Sequence, residues 1–159
     1  MKPLIFMVLL GAFLLAEAAE PKSAAEPPVP FPRKGKYGFR DAAGAFVIEP
    51  QFDYAGEFCE GLAVVGLGKY PGTKWGFINQ RGQIVVPAQF EGAQDFSEGM
   101  AAVNLGGKFG YIDRAGKLIV PPQFDEAQKF NSGRARVRII KSGYGYINKQ
   151  GELVVPLAL

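Results

Sequence analysis

Between residues 36 and 159 the apolar and polar positions recur in one order, with a period of roughly 34–38 residues. Each unit opens on an aromatic–Gly–aromatic run: Tyr37–Gly38–Phe39, Trp75–Gly76–Phe77, Phe109–Gly110–Tyr111 and Tyr144–Gly145–Tyr146. A turn of the form Asx–x–x–Gly follows at Asp41, Asn79, Asp113 and Asn148, where the Asx side chain bonds the backbone ahead of it. The returning segment carries three apolar residues in succession (Phe46–Val47–Ile48, Ile84–Val85–Val86, Leu118–Ile119–Val120, Leu153–Val154–Val155), as a strand covered on both faces would. Pro50, Pro87, Pro121 and Pro156 come next and are expected to stop its ladder.

A connector of the form Gln–Phe–acid–x–Ala then leads to a second Phe (Phe58, Phe96, Phe130), expected to plug the gap between units. The last element alternates strictly, with Ala63, Val65 and Leu67 matching Ala101, Val103 and Leu105 and then Ala135, Val137 and Ile139. Period two with one apolar face predicts a half-buried strand. The pattern therefore predicts an all-β protein. It is a tandem array of three-stranded antiparallel β-meander repeats, about 11 short strands in all. Its units are 36–73, 74–107, 108–142 and a partial 143–159. Such an array is solenoid-like or closed on itself, with the incomplete end units acting as caps or completing each other.

Residues 1–18 read differently. Lys2 precedes an apolar stretch from Leu4 to Leu15, and Ala16–Glu17–Ala18 offers small residues for a signal peptidase. The stretch falls short of the roughly 20 residues that span a bilayer. A cleaved signal cut near Ala18 is expected, giving a secreted or periplasmic protein without a transmembrane segment in the mature chain. Residues 19–34, with Pro21, Pro27, Pro28, Pro30 and Pro32, read as a Pro-rich linker ahead of a repeat domain over 35–159.

The formal charge of +3 is too small to imply a nucleic-acid partner. The chain contains no His, which removes Ser–His and Cys–His nucleophilic systems and the commonest transition-metal ligand. Asp53, Glu91 and Asp125 recur once per unit, as do Glu60 and Glu98. Catalysis asks for one asymmetric constellation, so these carboxylates read as turn and cap residues bonding the backbone. No Asp-rich loop has calcium-binding spacing. Cys59 aligns with Ser97 and Asn131 and reads as a small residue tolerated in a loop. No catalytic residue, cofactor or metal is expected.

The repeat resembles the WG-repeat family, whose units run Trp-Gly-aromatic-Ile-Asp/Asn-x-x-Gly, then Val/Ile–Pro, then Phe-Asp-x-Ala-x-x-Phe-x-x-Gly-x-Ala-x-Val. Trp75 to Val103 matches nearly every position, and the resemblance covers residues 36–159. Departures are Tyr37, Phe109 and Tyr144 for Trp, Arg40 for Ile, and Arg134 for Leu. The resemblance implies a bacterial, often exported binding or interaction module, and it supplies no catalytic residues.

Two surfaces are candidates for that binding. Trp75 and Phe77 share a strand face, as do Phe109 and Tyr111, and Tyr144 and Tyr146. Such rings form the core, or else a ladder for stacking sugars. The second surface is where the copies disagree. Arg134, Arg136 and Arg138, with Lys141 beyond, stand where the second unit has Met100, Ala102 and Asn104 and the first has Leu62, Val64 and Gly66. That basic stripe is a solubilised end or a contact for an anionic protein or envelope polymer. The apolar set Leu62, Val64 and Met100 is exposed, or buried by the next unit. The sequence thus points to an exported, non-enzymatic protein–protein or envelope-binding module. A carbohydrate- or peptidoglycan-binding module and a structural spacer are the alternatives.

Overall fold

The computed structural model describes residues 26–158; the expected signal segment, residues 1–18, lies outside them. Fifteen strands and no helix occur among the described residues. They form four antiparallel sheets, each an up-and-down meander. The first sheet is β1 (Val29–Arg33), β2 (Lys36–Arg40) and β3 (Phe46–Phe52). The second is β4 (Tyr54–Cys59), β5 (Leu62–Leu67), β6 (Lys74–Asn79) and β7 (Ile84–Phe90). The third is β8 (Gly92–Ala93), β9 (Met100–Leu105), β10 (Lys108–Asp113) and β11 (Leu118–Phe124). The fourth is β12 (Glu126–Ala127), β13 (Ala135–Ile139), β14 (Gly143–Ile147) and β15 (Leu153–Ala158). Among the described residues no strand of the first sheet pairs with the fourth, so the array is open.

The all-β meander array is therefore as the sequence predicts, but its strands are more numerous and its phase is shifted. The connectors pair with the alternating strand that follows them, as Tyr54 with Gly66, Gly92 with Asn104 and Glu126 with Arg138. Their backbone groups need partners, and the free edge of that strand supplies them. The chain crosses to the next sheet at Asp53, Glu91 and Asp125. A sheet thus takes its connector and alternating strand from one sequence unit and its aromatic–Gly and returning strands from the next.

The reading of 19–34 as a linker is corrected at its C-terminal end. Val29–Arg33 is a strand, with Phe31 opposite Gly38 and Arg33 opposite Lys36. It supplies the alternating strand that the first sheet otherwise lacks, and as an edge strand it accepts Pro30 and Pro32.

The prolines of the returning strands do not end their ladders either. β3, β7 and β11 run through Pro50, Pro87 and Pro121. Each lies at the edge of its sheet, and its register slips near the proline: Trp75 faces Phe90, whereas Phe77 faces Val86. A bulged edge strand is where a missing N–H does least harm. The bulge also explains the glycine of the aromatic–Gly run. A Cβ at Gly76 would lie 2.5 Å from the Val86 carbonyl oxygen, and one at Gly110 would lie 2.4 Å from that of Val120. The bulged backbone of the returning strand therefore occupies the space beside this glycine.

Consecutive sheets pack face to face, with one apolar cluster per interface. Phe39, Ile48 and Phe52 meet Ala63, Val65 and Ile78 between the first and second sheets. Phe77, Val86 and Phe90 meet Phe96, Val103 and Ile112 at the next interface. Tyr111, Val120 and Phe124 meet Phe130, Val137 and Ile147 at the last. The second Phe of each connector is the plug that its recurrence suggests. Ring centroids lie 4.9 Å apart for Phe39–Phe58, 4.8 Å for Phe77–Phe96 and 5.0 Å for Tyr111–Phe130. Leu62, Val64 and Met100 are buried in these interfaces and form no outer surface.

The recurring acids fasten one sheet to the next. Asp53 accepts from Lys36 Nζ of the first sheet at 2.8 Å and from the Gly68 N–H beyond β5 at 2.8 Å. Asp125 does the same with Lys108 and the Ile140 N–H, and Glu91 accepts from the Gly107 N–H at 3.0 Å. Glu60 and Glu98 form a second row, accepting from the N–H groups of Gly99 and Gly133 at 2.9 Å each. The four Asx turns repeat as well: Asn79 Oδ1, for example, accepts from Arg81 and Gln83 at 3.0 Å each.

Bonding to Lys36 and Lys108 and to the backbone amides lowers the pKa of Asp53 and Asp125 below 3.8, and the Gly133 amide lowers that of Glu98 below 4.5. A depressed carboxylate stabilises the fold above its unfolded pKa and loses that contribution as pH falls through the folded value. The urea midpoint is therefore expected to hold from neutral pH to about pH 5 and to fall below about pH 4. A series of urea titrations at stepped pH checks this.

Candidate functional site

The basic stripe lies on the far face of the fourth sheet, where the stack ends. In the first three sheets the second ring of the aromatic–Gly run has no exposure: Phe39, Phe77 and Tyr111 are each at 0%. Tyr146, its counterpart in the fourth sheet, is 40% exposed, and Val155 is 40% exposed where Val86 and Val120 are at 2% and 1%. Across β13 and β14, Arg138 is paired with Tyr144 and Arg136 with Tyr146. The Arg136 guanidinium stacks 3.9 Å from the centre of the Tyr144 ring, and that of Arg138 lies 5.3 Å from it. Glu126 binds Arg138 and accepts from the Tyr144 hydroxyl at 3.2 Å. Arg134 is exposed just ahead of β13, and among the described residues neither it nor Arg136 is in an ion pair. Lys141 is exposed in the turn between β13 and β14. The predicted residues thus share one end of the molecule, and Tyr144 and Tyr146 of the last aromatic–Gly run lie beside them on the same sheet.

The opposite end has a related construction. Arg40 stands where Ile78, Ile112 and Ile147 are buried, and its guanidinium lies 3.6 Å from the ring centre of Phe31 and 4.5 Å from that of Phe46. Among the described residues an end sheet has no neighbour to cover its apolar face. An arginine laid over a ring covers part of that face while keeping a charge in water. Arg40 for Ile is therefore an end cap.

A second site was not anticipated. A groove of about 510 Å³ opens between the second and third sheets. Tyr54 and Trp75 line one side, their rings 5.5 Å apart and 36° from parallel. Gln94 and Asp95 line the other, and Lys129 of the fourth sheet's connector reaches its end. The repeat explains the opening. Gln94 Nε2 donates to the Ala127 carbonyl at 2.8 Å and bridges the third and fourth sheets. The matching residue one sheet earlier is Gly56, so the corresponding bridge to Ala93 is missing, and Ala93 lines the gap. Val64 takes up part of the vacated space, where the third sheet has Ala102. Tyr54 is also peculiar to its unit, with Gly92 and Glu126 at the matching positions. These departures are visible when the units are aligned, but only the stacking places them around one opening.

Asp95, Glu57 and Lys129 occupy one repeat position in three successive units. Desolvation on the packed side of Asp95 pushes its pKa up, the Glu57 charge adds to this, and Lys129 opposes it. A carboxylate with a raised pKa costs stability at neutral pH, and the cost disappears as pH falls. Asp95→Asn is therefore expected to raise the melting temperature at pH 7, with the gain vanishing near pH 4; thermal melts at both pH values measure it. Cys59 is half-buried, and desolvation with Asp95 and Glu57 nearby raises its pKa, so the thiol is protonated at neutral pH. Phe77 and Tyr111 are interior, while Trp75 and Phe109 are half-buried. Among the described residues no group of three or more His, Cys, Asp or Glu side chains is placed to hold a metal, and there is no helix long and apolar enough to cross a membrane.

An open stack of β-meander repeats with aromatic–Gly strands defines a repeat protein whose surfaces, more than any deep cleft, are available for contact. The chain belongs to the family described as WG containing repeat, which matches residues 37–70, 75–109, 109–139 and 144–158. No curated protein is detectably similar to it. No solved structure is either.

Proposed function

We propose that this WG-repeat protein is an exported, non-enzymatic binding module that contacts an anionic protein or envelope polymer through the open face of its fourth sheet. The observation that carries the reading is the exposure of Tyr146 and Val155, at positions buried elsewhere, beside Arg134, Arg136 and Arg138. Tyr and Arg are the residues that most often dominate contact energetics. Arg136 and Arg138 are held by Tyr144 and Glu126, so less side-chain freedom is lost on binding than for unrestrained arginines. The engagement of Asp53, Glu91 and Asp125 in backbone bonds supports a scaffold role for the recurring carboxylates. The signal-like sequence of residues 1–18 and the Pro-rich stretch after it support presentation outside the cytoplasm.

The test replaces Arg134, Arg136 and Arg138 together by Ser and compares capture from envelope extract at low and high salt. Binding by the parent chain is expected to fall with salt and to be at least tenfold weaker in the variant. Equal, salt-independent capture by both proteins contradicts the reading.

A further inference from the structure

The groove between the second and third sheets is separate from the arginine face, and its lining has a chemistry of its own. The Tyr54 and Trp75 rings, their centroids 5.5 Å apart, give one wall an apolar, π-rich surface. The facing wall carries an acceptor in Asp95, whose carboxylate has no hydrogen-bond partner among the described residues, while the Gln94 amide is engaged by the Ala127 carbonyl of the fourth sheet. Lys129 adds a donor at the end. Acceptor and donor together suit hydroxyl groups, which give and take hydrogen bonds at once. A free cation would face Lys129, and an anion would face Asp95 and Glu57, so a neutral ligand matches the walls best. Apolar C–H faces flanked by hydroxyls are the property of a sugar ring, and the volume lies in the range of about 300–1,000 Å³ usual for small-molecule sites.

We propose that this groove is a saccharide site in which a neutral sugar ring rests on Trp75 and Tyr54 while its hydroxyls bond Asp95 and Lys129. The proposal rests on the reading of the chain as a binding module and assigns it a ligand at a place away from the arginines. The repeat itself indicates that the opening is specific to this position. Gln94 with Ala102 closes the corresponding space one sheet later, whereas Gly56 with Val64 leaves it open.

Trp75 is the one tryptophan of the chain, so its fluorescence reports on the groove alone. The full chain is titrated with cellotriose, chitotriose, xylotriose and maltotriose, with choline and inorganic phosphate as charged probes, and calorimetry run in parallel. At least one trisaccharide is expected to shift the Trp75 emission saturably, with neither charged probe doing so. Asp95→Asn and Trp75→Phe are each expected to weaken that sugar at least tenfold. The paired change Gly56→Gln with Val64→Ala, which copies the next sheet, is expected to abolish binding while the fold melts as before. Titration by none of the four sugars, saturation by choline or phosphate instead, or undiminished sugar binding by Asp95→Asn and by the folded double variant would each overturn the assignment. Capture through the Arg134 face is scored separately, so its loss or survival does not affect this result.

Discussion

Gly110→Ala is expected to be among the most damaging single substitutions in the protein, costing about 4 kcal/mol or more. The added methyl would lie 2.4 Å from the Val120 carbonyl oxygen, 2.8 Å from Pro122 N and 2.9 Å from the Pro121 carbonyl carbon. All three are backbone atoms of one bulged strand, so no rotamer change relieves the clash. Moving β11 away from β10 would pull Val120 and Phe124 out of the cluster they form with Phe130 and Val137. A domain with a typical stability of about 5–15 kcal/mol loses much of it in one step. Gly92→Ala is the control: the nearest atom to its new methyl is Asn104 Cβ at 3.5 Å, and a change within about 0.5 kcal/mol is expected. Urea unfolding of both variants measures the difference. Similar midpoints for the two would show that the returning strand yields more easily than its packing implies.

The second large effect concerns the end of the stack. Replacing Arg134, Arg136 and Arg138 by Met, Ala and Asn gives the fourth sheet the face that the third buries. Tyr146 and Val155 would remain exposed without the guanidiniums that lie over Tyr144 and keep charge at that end. Such a face resembles half of an internal interface, so the variant is expected to pass from monomer to dimer or larger species at micromolar concentration. The all-Ser variant lacks the added apolar groups and is expected to stay monomeric. Light scattering after size exclusion separates the two outcomes. A monomeric Met/Ala/Asn variant would mean that the arginines are not what keeps the ends apart.

Much of the array was legible in the sequence because each feature is written several times. The Asx turns and the plugging Phe residues reappear in the structure with the roles their spacing suggests, whereas the alternating strands β5 and β9 are buried on both faces by the sheets on either side and only β13 is half-buried as predicted. What escaped was pairing between segments with weak strand signals. β4, β8 and β12 contain Gly or charged residues, and β1 contains two prolines; these segments are strands because a neighbouring edge is free. Periodicity has no means of recording that. The prolines of the returning strands misled for a related reason, since a bulged edge tolerates what a central strand would not.

The candidate sites divide in the same way. Arg134, Arg136 and Arg138 stood out because they break an apolar column, and the structure places them at the end of the stack. The groove depends on residues from four sheets, Tyr37, Tyr54, Trp75, Asp95 and Lys129 among them, which no single unit contains. Gly56 in place of Gln, Val64 in place of Ala and the lone Tyr54 mark the opening in the aligned units, but nothing in the sequence brings them together. The rings and glycines held in every copy build the interfaces, and both candidate sites lie where copies differ, at an end of the stack or around the gap.

The most direct measurement of this division is the hydrogen-exchange footprint of the protein bound to its partner from envelope extract. The account predicts added protection over Ala135–Ile139 and Gly143–Ile147, at the open face of the fourth sheet, with the aromatic–Gly strands of the second and third sheets unchanged. Protection spread evenly over all four sheets, or confined to the first two, would contradict it.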